Sequence, residues 1–480
     1  MDRRTFVLGT AALAGGARLA RLGDLRLRTL AARLTGPVIT PASAAYPAAR
    51  LVYNERFDAV RPLAIARPAS VADVRALVAW AAAENVRPIA RSGGHSYAGY
   101  STGPGLVADL RAFDTISYDR ATGHVTVGAG TRLIDVETAL AARGRAIPSG
   151  SCATVGIGGL AQGGGVGLAS RKFGTTSDNV LSLGIVTADG HYRVCSAAQN
   201  EDLYWACRGG GGGNFGIVTH FTLRTHPAPN VSYFFADWSW SVASSVIEAW
   251  QSSMPHAPDE LFSICSLASG PSVQVFGQYL GPESALRRTL APLLAVPGAR
   301  LQTGSSGYLD AQLRWAGCLG KTTAQCHLAG ETPQGTLGRA AFAAKSDYLT
   351  APLSSAGRST LLRAVEQGVG AILLDSYGGA INRVAPEATA FVHRNAIGSA
   401  QYLAYWSSHA GEAAALAWLR SSYASMRPYV SGFAYQNYID RDLSGWAHAY
   451  YGANYPRLQR IKRAVDPGEL FHFPQSIRPA

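Results

Sequence analysis

Ala90-Arg91-Ser92-Gly93-Gly94-His95-Ser96 places one imidazole on a glycine-rich turn, directly after the short apolar run that begins at Arg87-Pro88. A near-echo follows in Ala146-Ile147-Pro148-Ser149-Gly150-Ser151-Cys152, which places one thiol on a second such turn. Each turn comes after a helix-like segment. Ser70 and Asp73 make a capping-box-like start, and Val71, Val74, Leu77, Val78 and Ala81 form a stripe of helical period. Residues 133–143 form the second helix, ended by Gly144. Glycine lets the backbone adopt positive φ and approach a flat ligand closely. Helix, strand and reactive loop thus occur twice, which predicts two α+β lobes facing one ligand, with His95 and Cys152 clamping it.

Working outward, residues 105–110 read as a strand. Residues 115–118 and 124–127 read as a hairpin, and 180–187 with 191–195 as a strand pair around Asp189-Gly190. Between them lies a glycine-rich stretch, residues 154–167. Its Gly156-x-Gly158-x-x-Ala161 matches the dinucleotide fingerprint. No apolar strand precedes it, however, and no acidic residue ends a second strand about 20 residues on, so the doubly wound reading is rejected. A turn whose backbone amides hold a pyrophosphate is the better reading, since N–H groups bind anions without a side chain. Gly209–Gly213 followed by Asn214-Phe215-Gly216-Ile217-Val218 is another close-approach loop entering a strand.

Pro227-Ala228-Pro229 marks a boundary. Residues 230–435 are richer in Trp, Tyr and Phe, with strands at 273–279, 371–374 and 400–406 and helices at 244–251 and 412–426. This predicts a second α+β domain with an aromatic pocket, a surface suited to sugar rings or planar polycycles. The tail holds a basic helix at 456–465, broken at Asp466-Pro467.

Composition narrows the function classes. At 480 residues the chain can bury two or three domains, and 15% charged against 47% hydrophobic residues excludes disorder. Of the formal charge of +12, five units fall in residues 1–45 and the rest are scattered. That is not the clustered footprint of a nucleic-acid binder. The six cysteines contain no Cys-x-x-Cys pair, which argues against a structural zinc site. Cys318 and Cys326 are candidates for a disulfide if the protein is exported, although spacing does not establish one. Asp2-Arg3-Arg4-Thr5-Phe6-Val7-Leu8 resembles a twin-arginine motif, and the apolar run at 6–17 is too short to span a bilayer. Ala42-Ser43-Ala44 offers a small-x-small cleavage site. Residues 1–44 are therefore read as an export signal, with an arginine-rich departure at 18–33. If the N-terminus is not a signal, the location is cytoplasmic.

Together these pieces resemble the berberine-bridge-enzyme-like branch of the vanillyl-alcohol-oxidase / p-cresol-methylhydroxylase flavoprotein superfamily. The resemblance spans about residues 52–478. It is carried by residues 91–96, 150–156 with Gly158-Gly159, Gly163–Gly165, Arg208–Gly210, residues 214–218, Lys345-Ser346-Asp347-Tyr348 and Tyr377-Gly378-Gly379. Further matches are His393-Arg394, Tyr435-Gln436-Asn437-Tyr438-Ile439-Asp440, Asn454–Leu458 and Asp466-Pro467-x-x-x-Phe471.

The resemblance implies an α+β fold: a two-lobed FAD-binding domain at 45–228, a substrate domain with an antiparallel sheet at 229–436, and a C-terminal segment at 437–480 completing the FAD domain. It implies FAD linked twice, through His95 to the 8α-methyl carbon and through Cys152 to C6. Arg91, Ser92, Gly93, Gly94, Ser96, Gly150, Val155, Gly156, Gly158, Gly159, Gly163, Gly216, Ile217, Val218 and Asn437 are the implied cofactor contacts. Covalent substitution raises the flavin potential and favours hydride acceptance. Tyr435 is the implied base, with Tyr438, Tyr377 and Gln401 as helpers. A phenol has a pKa of roughly 10, so Tyr435 is expected to have it depressed by a nearby cation or donor. Val155 occupies a position where a small side chain goes with O₂ reactivity, so the implied activity is an oxidase. It would take hydride from a hydroxyl-bearing carbon of a sugar, oligosaccharide or glycosylated product and release hydrogen peroxide. The alternative is a biosynthetic ring-forming oxidation or dehydrogenation of an alkaloid or polyketide.

Overall fold

Asp73 shows how the first lobe assembles. Ser70 caps the helix Val71–Ala83 by accepting from the Asp73 N–H at 3.1 Å, a contact worth about 1 kcal/mol in such helices. The Asp73 carboxylate turns back to accept from the Thr35 and Gly36 N–H groups at 3.0 Å each and from Ala69 at 2.9 Å. The helix start thereby anchors the chain that precedes it. The computed structural model describes residues 25–480.

The helix packs beside a four-stranded sheet in the order Val38–Ile39, Ala64–Ala66, Leu106–Asp109, Pro88–Arg91, whose last three strands are parallel. The second lobe is a five-stranded antiparallel sheet in the order Ile116–Asp119, His124–Gly128, Ile217–Arg224, Val180–Val186, Tyr192–Ser196. The hairpins read from the sequence lie in this sheet.

Three readings need correction. The boundary drawn after residue 44 falls inside the folded lobe: Val38–Ile39 pairs with Ala64–Ala66, and Leu27 and Leu30 join the main hydrophobic core. A cut there would remove an edge strand and part of that core. The twin-arginine motif itself lies outside the described residues. The glycine-rich stretch is not all turn, since Ile157–Gln162 closes into a short helix. The echo is also one of loops and not of sheets. The run before Cys152 is the two-residue strand Arg145–Ala146, which pairs with His226–Pro227 outside both lobe sheets.

The substrate domain is a seven-stranded antiparallel sheet in the order Arg300–Ser306, Val231–Trp238, Ser272–Tyr279, Leu261–Ala268, Ala371–Ser376, Gly398–Trp406, Ala341–Leu349. Period-two alternation sorts its two faces. Ala400, Tyr402, Ala404, Ile372 and Leu374 join a core with Trp250, Leu361 and Leu419 of the covering helices. Ser399, Gln401, Tyr405, Asp375, Phe342, Ser346 and Tyr348 occupy the alternate positions, which face the cofactor lobes. Cross-strand register then sets Ser399 between Asp375 and Tyr348.

The tail returns to the first domain. Lys462, on the helix Tyr455–Val465, donates to Asn214 O, and the Ile477 N–H donates to Asn214 Oδ1 at 2.9 Å. Phe471, Phe473 and Ile477 are buried in the same core as the lobes. Among the described residues no helix is long and apolar enough to cross a membrane.

Candidate active site

The two glycine-rich loops meet backbone to backbone. A Cβ on Gly93 would sit 2.2 Å from Gly156 N, and one on Gly156 would sit 2.0 Å from Ser92 Oγ. Only glycine permits this approach, and Gly94 at φ 71° then swings His95 out of the turn. Ser92 secures the first loop by donating to Ala129 O at 2.6 Å.

His95 and Cys152 open onto one cleft, together with Ser92, Gly93, Gly94, Ser96, Gly150, Val155, Gly156, Gly158, Gly159, Val218 and Asn437. The His95 ring stacks on Tyr53 (centroids 4.1 Å apart, 16° between planes), and its Nε2 shares a hydrogen bond with Thr154 Oγ1 at 2.9 Å. Burial, with Arg132 adding to it, pushes His95 down to about 3, so the imidazole is neutral and nucleophilic around pH 7. Cys152 is exposed, but to the cleft; its depth in the protein raises the thiol pKa.

Four expected cofactor contacts do not line the cleft. Arg91 is buried beneath the first loop, where it donates to Ala49 O at 2.6 Å and Ser101 O at 3.2 Å. Gly163 lets the glycine-rich stretch abut the Tyr435 segment, since a Cβ there would lie 2.0 Å from Asn437 Oδ1. Gly216 passes Val186 O at a hypothetical Cβ distance of 2.2 Å, and Ile217 is fully buried in its strand.

Tyr435 closes one end of the cleft. Its ring is buried against Phe391 and Tyr438, and its backbone N–H donates to Ser346 Oγ at 2.9 Å. The phenol oxygen accepts from Gly165 N–H at 2.8 Å and from Asn437 Nδ2 at 3.0 Å. The expected depression of its pKa is not found. Burial dominates and pushes the phenol up to about 12, against these two donors. Tyr438 lines the cleft and stacks on Tyr97 at 5.1 Å. Gln401 and Tyr377 stand one shell back: Gln401 donates to Tyr97 Oη at 3.0 Å, and the Tyr377 hydroxyl lies 3.3 Å from that of Tyr348.

Sequence reasoning passed over Tyr53, Thr154 and Asp375. Asp375 is the most consequential, as a buried carboxyl whose pKa burial pushes up to about 7. Ser399 Oγ approaches it at 3.4 Å, and its charge raises the pKa values of Tyr435, Tyr438 and Tyr377. One signal was available: a lone acid stands near the end of a largely apolar strand, two residues before Tyr377-Gly378-Gly379.

The site fits FAD. Its floor at Gly158, Gly159, Gly212 and Gly213 is bare of side chains, and a Cβ on Gly159 would meet nothing within 4 Å. The cleft runs from Tyr435 to Phe473, with an imidazole and a thiol beside it. Ser92–Ser96, Gly150–Gly159 and Asn437 would hold the group.

Comparison with known proteins agrees. An FAD binding domain profile matches residues 62–196, and a berberine and berberine-like profile matches residues 434–478. An uncharacterized FAD-linked oxidoreductase of Bacillus subtilis is 32% identical over 93% of this chain and 98% of its own length. A xylooligosaccharide oxidase of Thermothelomyces thermophilus is 31% identical over 89% of each chain. Among solved structures, the berberine-bridge-enzyme-like protein 1 of Physcomitrella patens superposes with a TM-score of 0.89 at 34% identity, covering 95% of this chain and 99% of its own. A chitooligosaccharide oxidase superposes with a TM-score of 0.87 at 27% identity, covering 95% and 100%. With relatives 31–32% identical over most of the chain and both profiles in place, the chain belongs to the berberine-bridge-enzyme-like FAD-linked oxidoreductases.

Proposed function

We propose that the protein is an oxidase of neutral sugars or oligosaccharides, with FAD held through both His95 and Cys152. The observation that carries the substrate class is an aromatic ladder. From Tyr405 at the rim, 55% exposed, ring contacts run to Phe342 (5.5 Å), Tyr97 (4.8 Å), Tyr438 (5.1 Å) and Tyr435 (4.9 Å). Aromatic faces pack against the C–H faces of sugar rings, and a ladder of this length suits more than one ring. The similarity to a xylooligosaccharide oxidase and a chitooligosaccharide oxidase supports the same reading.

Bound FAD supplies the two-electron acceptor for hydride. Tyr435 Oη meets the substrate hydroxyl, and its two donors stabilise negative charge on that oxygen as the proton leaves. A phenol at about 12 is a poor final acceptor near neutrality. Asp375, at about 7, is matched to the working pH and takes the proton by way of the sheet face that carries Ser399 and Ser346, against which Tyr435 is held by its N–H bond to Ser346 Oγ. Val155 lines the cleft beside Cys152, and its small side chain supports O₂ as the acceptor. The twin-arginine motif supports export as part of this reading, with any cleavage upstream of the folded residues.

The deciding experiment is anaerobic bleaching of the bound flavin by a panel of neutral oligosaccharides, followed by aeration and a peroxide assay. Bleaching with stoichiometric peroxide is expected. Bleaching by alkaloids or phenols alone would sink the sugar reading, and slow reoxidation in air would turn the oxidase into a dehydrogenase.

Asp375 makes the reaction pH-dependent. The bleaching rate is expected to rise with pH through about 7, where the carboxyl ionises. Asp375→Asn should flatten that rise and lower the plateau on the order of 10²-fold. Stability runs the other way: a carboxyl whose folded pKa is raised stabilises the fold at low pH and loses that contribution as pH rises through about 7. The Asn variant should therefore unfold later than the wild type at pH 8. A rate profile unchanged by the substitution removes Asp375 from the reaction.

A further inference from the structure

Behind the Cys152 loop lies an arm of the substrate domain that the reaction does not use. Cys318 and Cys326 are joined as a disulfide, with Cα atoms 5.9 Å apart. Both pack with Ile134 and Ala153 in one small buried cluster, so the disulfide rests directly against the residue after Cys152. The arm is tied to the FAD domain by charge as well. Glu331 pairs with Arg132, and His327 Nε2 lies 3.0 Å from Asp135 Oδ1. Thr323 Oγ1 meets Thr138 Oγ1 at 3.1 Å. Asp135, with Glu331 at 3.8 Å, raises His327 to about 9; against its burial, His327 and Arg132 hold Glu331 down to about 2. His327 and Glu331 are therefore both ionised around neutral pH.

The Arg132 segment is where both anchoring loops converge. Arg132 Nη1 donates to Gly130 O at 2.7 Å and to Ser92 O, in the His95 loop, at 3.3 Å. Its backbone bridges Gly156, and the N–H groups of Leu133 and Ile134 donate to Val155 O at 2.9 Å and Ala153 O at 3.2 Å. The Cys152 loop thus packs between this segment and the disulfide cluster, whereas the His95 loop meets the arm at one remove, through the Arg132 bond to Ser92 O, the contact of Gly93 with Gly156 and the His95 bond to Thr154.

We propose that the arm Cys318–Leu337 is a positioning strap that holds the Cys152 loop at the flavin during attachment, so that disulfide and Glu331 control linkage at Cys152 more strongly than linkage at His95. The proposal rests on the doubly linked reading above. In the step concerned, the Cys152 thiol loses its proton and forms one S–C bond to the ring. The ring carbon gives up its hydrogen, two electrons enter the ring, and dioxygen removes them with two protons as hydrogen peroxide.

The test uses the full chain purified with FAD, as wild type, Glu331→Gln and Cys318→Ser/Cys326→Ser. Proteolysis and mass spectrometry measure the fraction of His95 peptide and of Cys152 peptide that carries flavin. The expected result is a clearly smaller loss at His95 than at Cys152 in both variants. Occupancy at Cys152 should fall on the order of tenfold, the scale on which a small misplacement of a reacting group acts. Where the double serine variant does not fold, Glu331→Gln, which keeps shape and disulfide, decides. Undiminished flavin on Cys152 in the variants overturns the strap while leaving double linkage intact. Equal loss from both peptides also overturns it, since the arm then only supports the fold. A wild type with no flavin on Cys152 overturns the doubly linked reading and the strap with it.

Discussion

Tyr435→Phe lowers the rate of substrate-driven flavin bleaching by about 10²–10⁴-fold, the span general acid–base groups contribute. The substitution removes one oxygen and leaves the ring, which keeps its edge contacts with Phe391 and Tyr438. What it takes away is the acceptor of Gly165 N–H and of one of the two Asn437 Nδ2 hydrogens, the other of which goes to Leu160 O at 3.1 Å. Two buried donors left unpaired also cost about 1–3 kcal/mol each in stability. The kinetic and structural effects are therefore read separately, by anaerobic stopped-flow and by urea unfolding. Flavin content should be unchanged, because the anchors lie on other loops. Bleaching at the wild-type rate would end the assignment of Tyr435 as the atom that meets the substrate hydroxyl.

The second large effect is on the fold. Lys462→Met is expected to cost about 3–5 kcal/mol, the usual penalty for breaking a buried ion pair by removing one partner. Lys462 has no exposed surface, and its ammonium donates at 2.6 Å to Asp466 Oδ2, to Asn214 O and to Phe471 O. Methionine keeps the volume but leaves the Asp466 carboxylate with only the Leu470 and Phe471 N–H groups, at 2.8 and 2.9 Å. The lysine joins the tail to the loop before Ile217–Arg224, and Phe473 of that tail lines the cofactor cleft. Loss of stability should thus come with loss of bound FAD. The urea midpoint and the flavin-to-protein absorbance ratio measure the two, and an unchanged midpoint would show that the tail is held by its apolar contacts alone.

Both residues sit in motifs visible in the sequence, yet the reasons they matter differ in origin. The helices 71–83 and 133–141 and the hairpins of the second lobe follow from local rules: period, a capping serine, a polar turn. The same holds for the anchoring loops, because a glycine cluster after a short strand, carrying one nucleophile, is a local statement. The boundary after residue 44 differs from the structure for the opposite reason. Val38–Ile39 looks like a tail until Ala64–Ala66 is brought beside it. Arg91, Gly163, Gly216 and Ile217 are implied as cofactor contacts because they stand in the motifs that carry the family resemblance. Packing turned their side chains, or the backbone they free, toward other parts of the protein.

By itself the sequence determined that an imidazole and a thiol stand on two matched glycine turns, since side-chain chemistry and backbone freedom belong to single residues and their neighbours. Only the tertiary structure decided that the turns touch at Gly93 and Gly156, that His95 is neutral and that Tyr435 is pushed up instead of down. It alone placed Asp375 opposite Ser399 on the sheet face toward the cleft, at a pKa of about 7. These are properties of desolvation and cross-strand register, which depend on residues hundreds of positions apart and have no local signature.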